Sequence, residues 1–204
     1  MNFSKVSLKD VLELKSNSRW LSIGSGVTNI KENQKIPITL IITRRNYLEH
    51  FVMFWTELDP PDITEKIVEC LISQSWYSKT LIQGIWVHGS TIAGFGIIRH
   101  ELLRNNLKAV LLSIVDEKPS LKKIRNSLLS NFIDGKQRWD QFQENSIVPR
   151  SIKGKMPECN LWIANYGISL ETGIEMLKKQ RIGGCLPEGL RIASLIGRNT
   201  FTSY

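Results

Sequence analysis

Residues able to do chemistry are few in this chain, and they are scattered. His50, His88 and His100 stand in no H-x-x-x-H or H-E-x-x-H relation, so a metal site would need ligands gathered from distant segments. His88 alone has a hydroxyl close by in sequence, Ser90, across Gly89. The nucleophile-elbow pattern G-x-S-x-G is absent, so the pair reads as flanking a turn rather than as a base and its nucleophile. Cys70, Cys159 and Cys185 are far apart, odd in number and never in a C-x-x-C pair. That argues against a disulfide framework and a cysteine zinc site, and for a reducing, cytoplasmic setting. Asp59, Asp62 and Glu65 gather where a helix starts, and capping with favourable dipole interactions accounts for them. No cofactor is expected.

The run WLSIGSG, Trp20 to Gly26, is a strand followed by glycines, an arrangement that opens cofactor sites in nucleotide-binding folds. It lacks the third glycine of that fingerprint. Arg44-Arg45 occupy the place, about twenty residues on, where an acidic residue would hold a ribose. A plain turn is the reading.

Charge is the strongest compositional signal. Residues 1–117 carry 13 Lys and Arg against 12 Asp and Glu, a net of +1, whereas residues 118–204 carry 14 against 7, a net of +7. Such an asymmetry points to phosphate-bearing partners, RNA or an anionic membrane surface. The candidate contacts are Lys122, Lys123, Arg125, Lys136, Arg138, Arg150, Lys153, Lys155, Lys178, Lys179 and Arg181. A mobile basic loop over Ser146 to Asn160 is the best-placed phosphate contact among them.

The elements that must position these residues centre on Thr80 to Ile98, the longest stretch without a charged side chain. Leu81 to His88 and Thr91 to Ile98 flank Gly89-Ser90, and glycine at the first central position suits a two-residue type II′ hairpin. That register sets Trp86 opposite Ala93, Val87 opposite Ile92 and Gly84 opposite Phe95. The rival, a membrane span, is weakened by Gln83, His88, Ser90, Thr91 and four glycines. Strands are expected at Trp20 to Ile23, at Ile36 to Thr43 with Pro37 suiting the first residues of a strand or an edge position, and at Leu161 to Tyr166; Leu107 to Val115 is strand or buried helix.

Helices are expected over Leu8 to Leu14, over Asn46 to Leu58 with Tyr47, Phe51, Phe54 and Trp55 on one side, and over Thr64 to Ser73. Others follow at Arg99 to Asn106 and at Leu121 to Asp134, the latter capped by Ser120 and stopped by Gly135. One helix carries Thr172 and Glu175 at capping-box spacing, and another opens at Pro187. The N-terminus has no apolar signal core and no lipidation motif is present.

The expectation is an α+β single compact domain, a mixed sheet around the central hairpin with helices packed on it and a more helical C-terminal half. The chain divides, if anywhere, near 116–120. For function, the charge split points to a non-enzymatic, basic accessory or matrix-type protein, viral in origin, that binds RNA or an anionic surface. One rival is a small transferase or hydrolase with its pocket beside the 81–98 segment, near His88 and Ser90. Another is a protein–protein adaptor presenting the aromatic segment 47–55 to a protein partner.

Overall fold

Three runs rich in β-branched and aromatic residues open the folded chain as an antiparallel ribbon: β1 (Arg19–Ser25), β2 (Ile36–Arg44) and β3 (Tyr47–Thr56). The computed structural model describes residues 18–26, 35–45, 47–115, 120–145, 150–151, 159 and 161–200. β4 (Gly84–His88) lies parallel to β1, and β7 (Val110–Val115) lies parallel to β4. β9 (Trp162–Tyr166) and the short β8 (Arg150–Ser151) complete the sheet in antiparallel sense, in the order β3-β2-β1-β4-β7-β9-β8. The α+β architecture and its mixed sheet are as expected. β7 from the near-neutral half pairs with β9 from the basic half, so one sheet spans both.

Helices cover the two faces. α1 (Ile63–Ile72) and α2 (His100–Leu107) bury Ile63, Ile67, Leu71, Leu103 and Leu107 against Leu21, Ile23, Leu40, Ile85 and Leu111. On the opposite face α5 (Leu170–Gln180) and α6 (Glu188–Asn199) bring Met176, Leu177 and Leu190 onto Trp20, Trp86, Leu112 and Ile163. Gly84, paired with Trp20, has no side chain to obstruct that ring. Trp20 therefore stacks on Trp86 at 4.7 Å, and the Trp86 indole N–H donates to Gln180 at 2.7 Å, satisfying a polar group inside the core. α3 (Leu121–Asn131) and α4 (Gly135–Glu144) pack on each other and place Leu128 and Phe142 against Ile97.

The hairpin expected at 81–98 does not form. β4 is instead the central strand, and the chain leaves the sheet at Gly89, whose φ of 75° any other residue would resist. β5 (Thr91–Ile92) and β6 (Gly96–Ile97) pair with each other in a separate two-stranded ribbon. An apolar run buried on both faces is the mark of a parallel strand, and in that role β4 takes its partners from distant sequence. The expected helix at 46–58 is the edge strand β3, because aromatic residues suit strands as well as helices and a spacing of three and four does not by itself select the helix. Tyr47, Leu48 and Phe51 stay exposed there. Pro37 stands among the first residues of β2, one of the two positions expected for it, and the strand itself is interior rather than at an edge and buried almost throughout. On α1, Ile63, Ile67 and Leu71 point inward while Ile72 is exposed.

Gly135 does not end α3 in the left-handed conformation. It begins α4, where a side chain would strike the Leu128 carbonyl. Of the apolar residues from 121 to 133, Leu128 is buried, Ile124 and Phe132 are half-buried against the same cluster, and Leu121, Leu129 and Ile133 are exposed. Ser169, rather than Thr172, caps α5, its hydroxyl accepting the Thr172 N–H at 3.2 Å. Cys159 and Cys185 are joined in a disulfide, contrary to what the odd cysteine count implies; Cys70 is the unpaired third. The expected helix at 8–14, the division at 116–119, and Lys153 and Lys155 of the basic loop lie outside the described residues.

Candidate active site

Where β1 and β4 end side by side, a pocket of about 260 Å³ opens at the sheet edge. Ile23, Gly24, Ser25 and Gly26 form one wall, His88, Thr91, Ala93 and Gly94 another, and Ser194 and Arg198 of α6 a third. The crevice beyond the carboxyl ends of parallel strands is the usual ligand position in open sheets with helices on both faces.

The close approach of α6 to β1 shapes this pocket. A Cβ on Gly24 would stand 2.6 Å from the Ala193 carbonyl carbon and 2.8 Å from the Ser194 nitrogen, and one on Gly197 would stand 2.5 Å from the Ser25 carbonyl carbon. Helix and strand therefore touch backbone to backbone. Gly24-Ser25-Gly26 is neither the plain turn expected nor a cofactor loop; Gly24 and Ser25 end the strand, and Gly24 and Gly26 give the helix its seat. Gly189, Ala193 and Gly197, four residues apart on α6, carry the same information in sequence.

Beneath the pocket, His100 holds the turn. It is wholly buried, and its Nε2 lies 3.1 Å from the Gly89 carbonyl, which can only accept, so Nε2 is the protonated nitrogen. The Ser113 hydroxyl donates to the same carbonyl at 2.9 Å, and Ser90 Oγ lies 3.5 Å from the ring. Asn145 accepts the His100 backbone N–H at 2.8 Å and donates to the Ile98 carbonyl at 2.7 Å. Burial pushes the imidazole pKa down to about 4, the Gly89 contact opposing it, so the ring is neutral and its role is to brace the turn. Ser90 is thus associated with His100 rather than His88, and it is buried away from the pocket that His88 lines. His50, the third histidine, stacks on Trp76 at 4.1 Å.

A second, wider hollow of about 610 Å³ follows α4 between Arg99 and Ile133. Two of its three carboxylates are engaged, Asp134 with Arg138 at 2.9 Å and Glu144 with Arg99 at 3.7 Å; Asp140 is the third. Among the described residues no group of three or more His, Cys, Asp or Glu side chains is placed to hold a metal ion.

The basic candidates fall on separate elements. Lys122, Lys123 and Arg125 are exposed on α3, Lys136 is exposed on α4, Lys178 and Lys179 are exposed on α5, and Arg150 belongs to β8. Lys178 pairs with Glu175 at 2.9 Å. Arg181 donates to the Gly184 carbonyl and to Cys159 Sγ. Arg138 is buried: it donates to the carbonyls of Phe95 and Asp59 at 3.0 Å each, pairs with Asp134 and covers the Phe132 ring. Its fixed fork ties α4 to the β5–β6 ribbon, which a charge count cannot reveal.

A model of the Endonuclease dU family matches residues 16–201. The chain belongs to that family. Among curated relatives, the UPF0215 protein of Thermococcus sibiricus is 23% identical over 169 residues, covering 83% of each chain. That of Methanothermobacter thermautotrophicus is 22% identical over 197 residues, covering 96% of this chain and 94% of its own. Among solved structures, a protein of unknown function from Archaeoglobus fulgidus superposes with a TM-score of 0.73 at 18% identity, over 88% of this chain and 96% of that one. Human ENDOV superposes with a TM-score of 0.58 at 12% identity, over 90% and 84%. These likenesses establish an endonuclease V-like fold.

Membership in the Endonuclease dU family overturns the expectation of a non-enzymatic, basic matrix-type protein, and relatives in archaea replace the viral origin. The rival hydrolase with a pocket beside the 81–98 segment fits the family better. No helix among the described residues is long and apolar enough to cross a membrane, and β4 to β6 occupy the uncharged stretch that raised the membrane-span reading.

Nucleases commonly clamp the reacting phosphate with divalent cations held by carboxylates. The pocket described here does not fit that pattern, for among the described residues its lining holds no Asp or Glu. Asp59, whose carboxylate lies against Gly94, accepts the Phe95 N–H instead.

Proposed function

We propose that the chain is a nucleic-acid hydrolase of the endonuclease class, and that the phosphodiester it acts on lies in the pocket at the carboxyl ends of β1 and β4. The family match carries this reading, and a polar pocket at the expected edge of the sheet supports it. DNA bearing deoxyuridine, the dU of the family name, is the substrate class. Ciona intestinalis Endonuclease V, a fold neighbour with a TM-score of 0.56, is known in complex with DNA containing inosine, which supports a deaminated base as the recognised feature.

In the hydrolysis, a water oxygen bonds to phosphorus as the P–O bond to one sugar breaks, and a proton passes from the water to the departing oxygen. His88 is the imidazole in the lining that can accept or donate such a proton. Arg198 offers the forked N–H donors that match phosphate oxygens. Lys122, Lys123 and Arg125 on α3 add sequence-independent contacts to the flanking backbone. A genomic substrate implies an intracellular location.

The test is incubation with duplex and single-stranded oligonucleotides carrying one deoxyuridine, one deoxyinosine or neither, in magnesium, manganese or chelator. Scission near the deoxyuridine, lost in H88Q and R198Q, is expected. Intact substrates under every condition would refute the reading.

A further inference from the structure

We infer that the pocket at the ends of β1 and β4 is built as a phosphate site rather than a cation site. It takes a phosphate group of the nucleic acid directly on Arg198, His88 and the hydroxyls of Ser25 and Ser194, with no divalent cation between protein and ligand. The inference deepens the function proposed above and relies on it for the ligand's identity.

Three observations carry it. Among the described residues the lining contains an arginine, a histidine and three hydroxyl side chains, and no carboxylate. A divalent cation of the magnesium class requires oxygen ligands, carboxylates foremost, whereas phosphate takes guanidinium, imidazole, hydroxyl and backbone N–H donors. Second, the strand end has no room for a carboxylate at positions 24 and 26, since any side chain at position 24 meets the backbone of Ala193 and Ser194, and one at position 26 meets the Gly197 carbonyl oxygen at 2.7 Å. Third, the contact that excludes acidic groups also fixes the cationic one. Ser194 and Arg198 stand one turn apart on α6, directly after the Ala193 contact and around the Gly197 contact, so the arginine is carried by a helix locked to the strand beside it. No described carboxylate pairs with Arg198.

Inorganic phosphate is the probe, titrated into the full chain by amide chemical-shift mapping in chelator and again with magnesium. Manganese alone is then added as a paramagnetic reporter. The expected result is saturable shifts at Ser25, His88, Ser194 and Arg198 with the same affinity in both buffers, weakened about tenfold or more in R198Q, and no manganese broadening at those amides. K79Q, at an exposed lysine that precedes the amino end of β4 and does not line the pocket, should bind phosphate as the parent does. Binding that requires the cation, manganese broadening centred on the pocket, or an affinity insensitive to R198Q would each overturn the inference. D116N adds a check on the carboxylate that follows β7 in sequence: cation-dependent binding abolished by this substitution would reassign the pocket to a metal. The two proposals separate cleanly. Metal-dependent scission sinks the phosphate site and spares the hydrolase, whereas cation-free phosphate binding without scission of any oligonucleotide does the reverse.

Discussion

Replacing Gly24 with alanine tests whether backbone contact between α6 and β1 builds the pocket. The new Cβ would lie 2.6 Å from the Ala193 carbonyl carbon, where ordinary contact begins at 3.4 Å, so a gap of 0.8 Å must be opened. The obstacle is main chain on both sides, and rotamer changes cannot relieve it; the helix has to move as a body. Overpacking of this kind costs about 1–3 kcal/mol. For a chain of 204 residues that lowers the melting temperature by about 2–12 °C, at about 2–4 °C per kcal/mol. Because Ser194 and Arg198 ride on the displaced helix, phosphate affinity should fall with stability. Gly183 supplies the internal control: nothing lies within 4 Å of the place a Cβ would take there, and its φ is outside the left-handed region. G183A should therefore be neutral or stabilising by up to about 1 kcal/mol. Thermal unfolding of both variants decides the matter. A G24A protein that melts with the parent and binds phosphate as well would refute the claim that this contact shapes the site.

The buried, neutral His100 makes stability depend on pH. Its folded pKa of about 4 lies below the ordinary 6.5, so the unfolded chain binds the extra proton first, and stability falls as pH drops from 6.5 towards 4, by up to about 3 kcal/mol, with no further loss from this group below that. Urea titrations across that window should show a steeper fall for the parent than for H100Q, and equal slopes would contradict the assignment. R138M removes the donors held by the Phe95 and Asp59 carbonyls, and calorimetry should register a loss of about 2–4 kcal/mol with phosphate affinity unchanged; weakened phosphate binding in a folded variant would restore Arg138 to the ligand surface. The Cys159–Cys185 bridge spans 26 residues of sequence, so C159S should lose about 3 kcal/mol. Alkylation without reductant should modify Cys70 alone, and labelling of all three thiols would contradict the bridge.

Fold class was legible because it follows from composition and patterning: β-branched runs such as Ile36 to Thr43 and capped amphipathic runs such as Leu170 to Gln180 find their own secondary structure. Strand partners were not, since β4 reads as half of a local hairpin and its true neighbours, β1 and β7, lie far away in sequence. Gly89 is where the chain turns in either reading, so the turn residue alone could not decide between them. Tyr47 to Trp55 misled through spacing, as aromatics three and four apart fit a helical face and an edge strand equally well. At the candidate site, His88 and the Gly24-Ser25-Gly26 run were visible, while Ser194 and Arg198 were not, for they reach the pocket only through the helix–strand contact. Their signal was the spacing of Gly189, Ala193 and Gly197, which marks a close helix face without saying what it meets. Charge excess was the weakest guide, because it counts Arg138 and Arg181, whose donors serve the chain's own carbonyls, equally with the exposed lysines of α3.

Amide shift mapping with a short duplex carrying one deoxyuridine addresses the location of the site most directly. Perturbations concentrated at Gly24 to Gly26, at His88, at Thr91 to Gly94, and at Ser194 and Arg198 are expected, larger than with the unmodified duplex. Shifts confined to the lysines of α3 and α5, with those pocket amides unmoved, would contradict it.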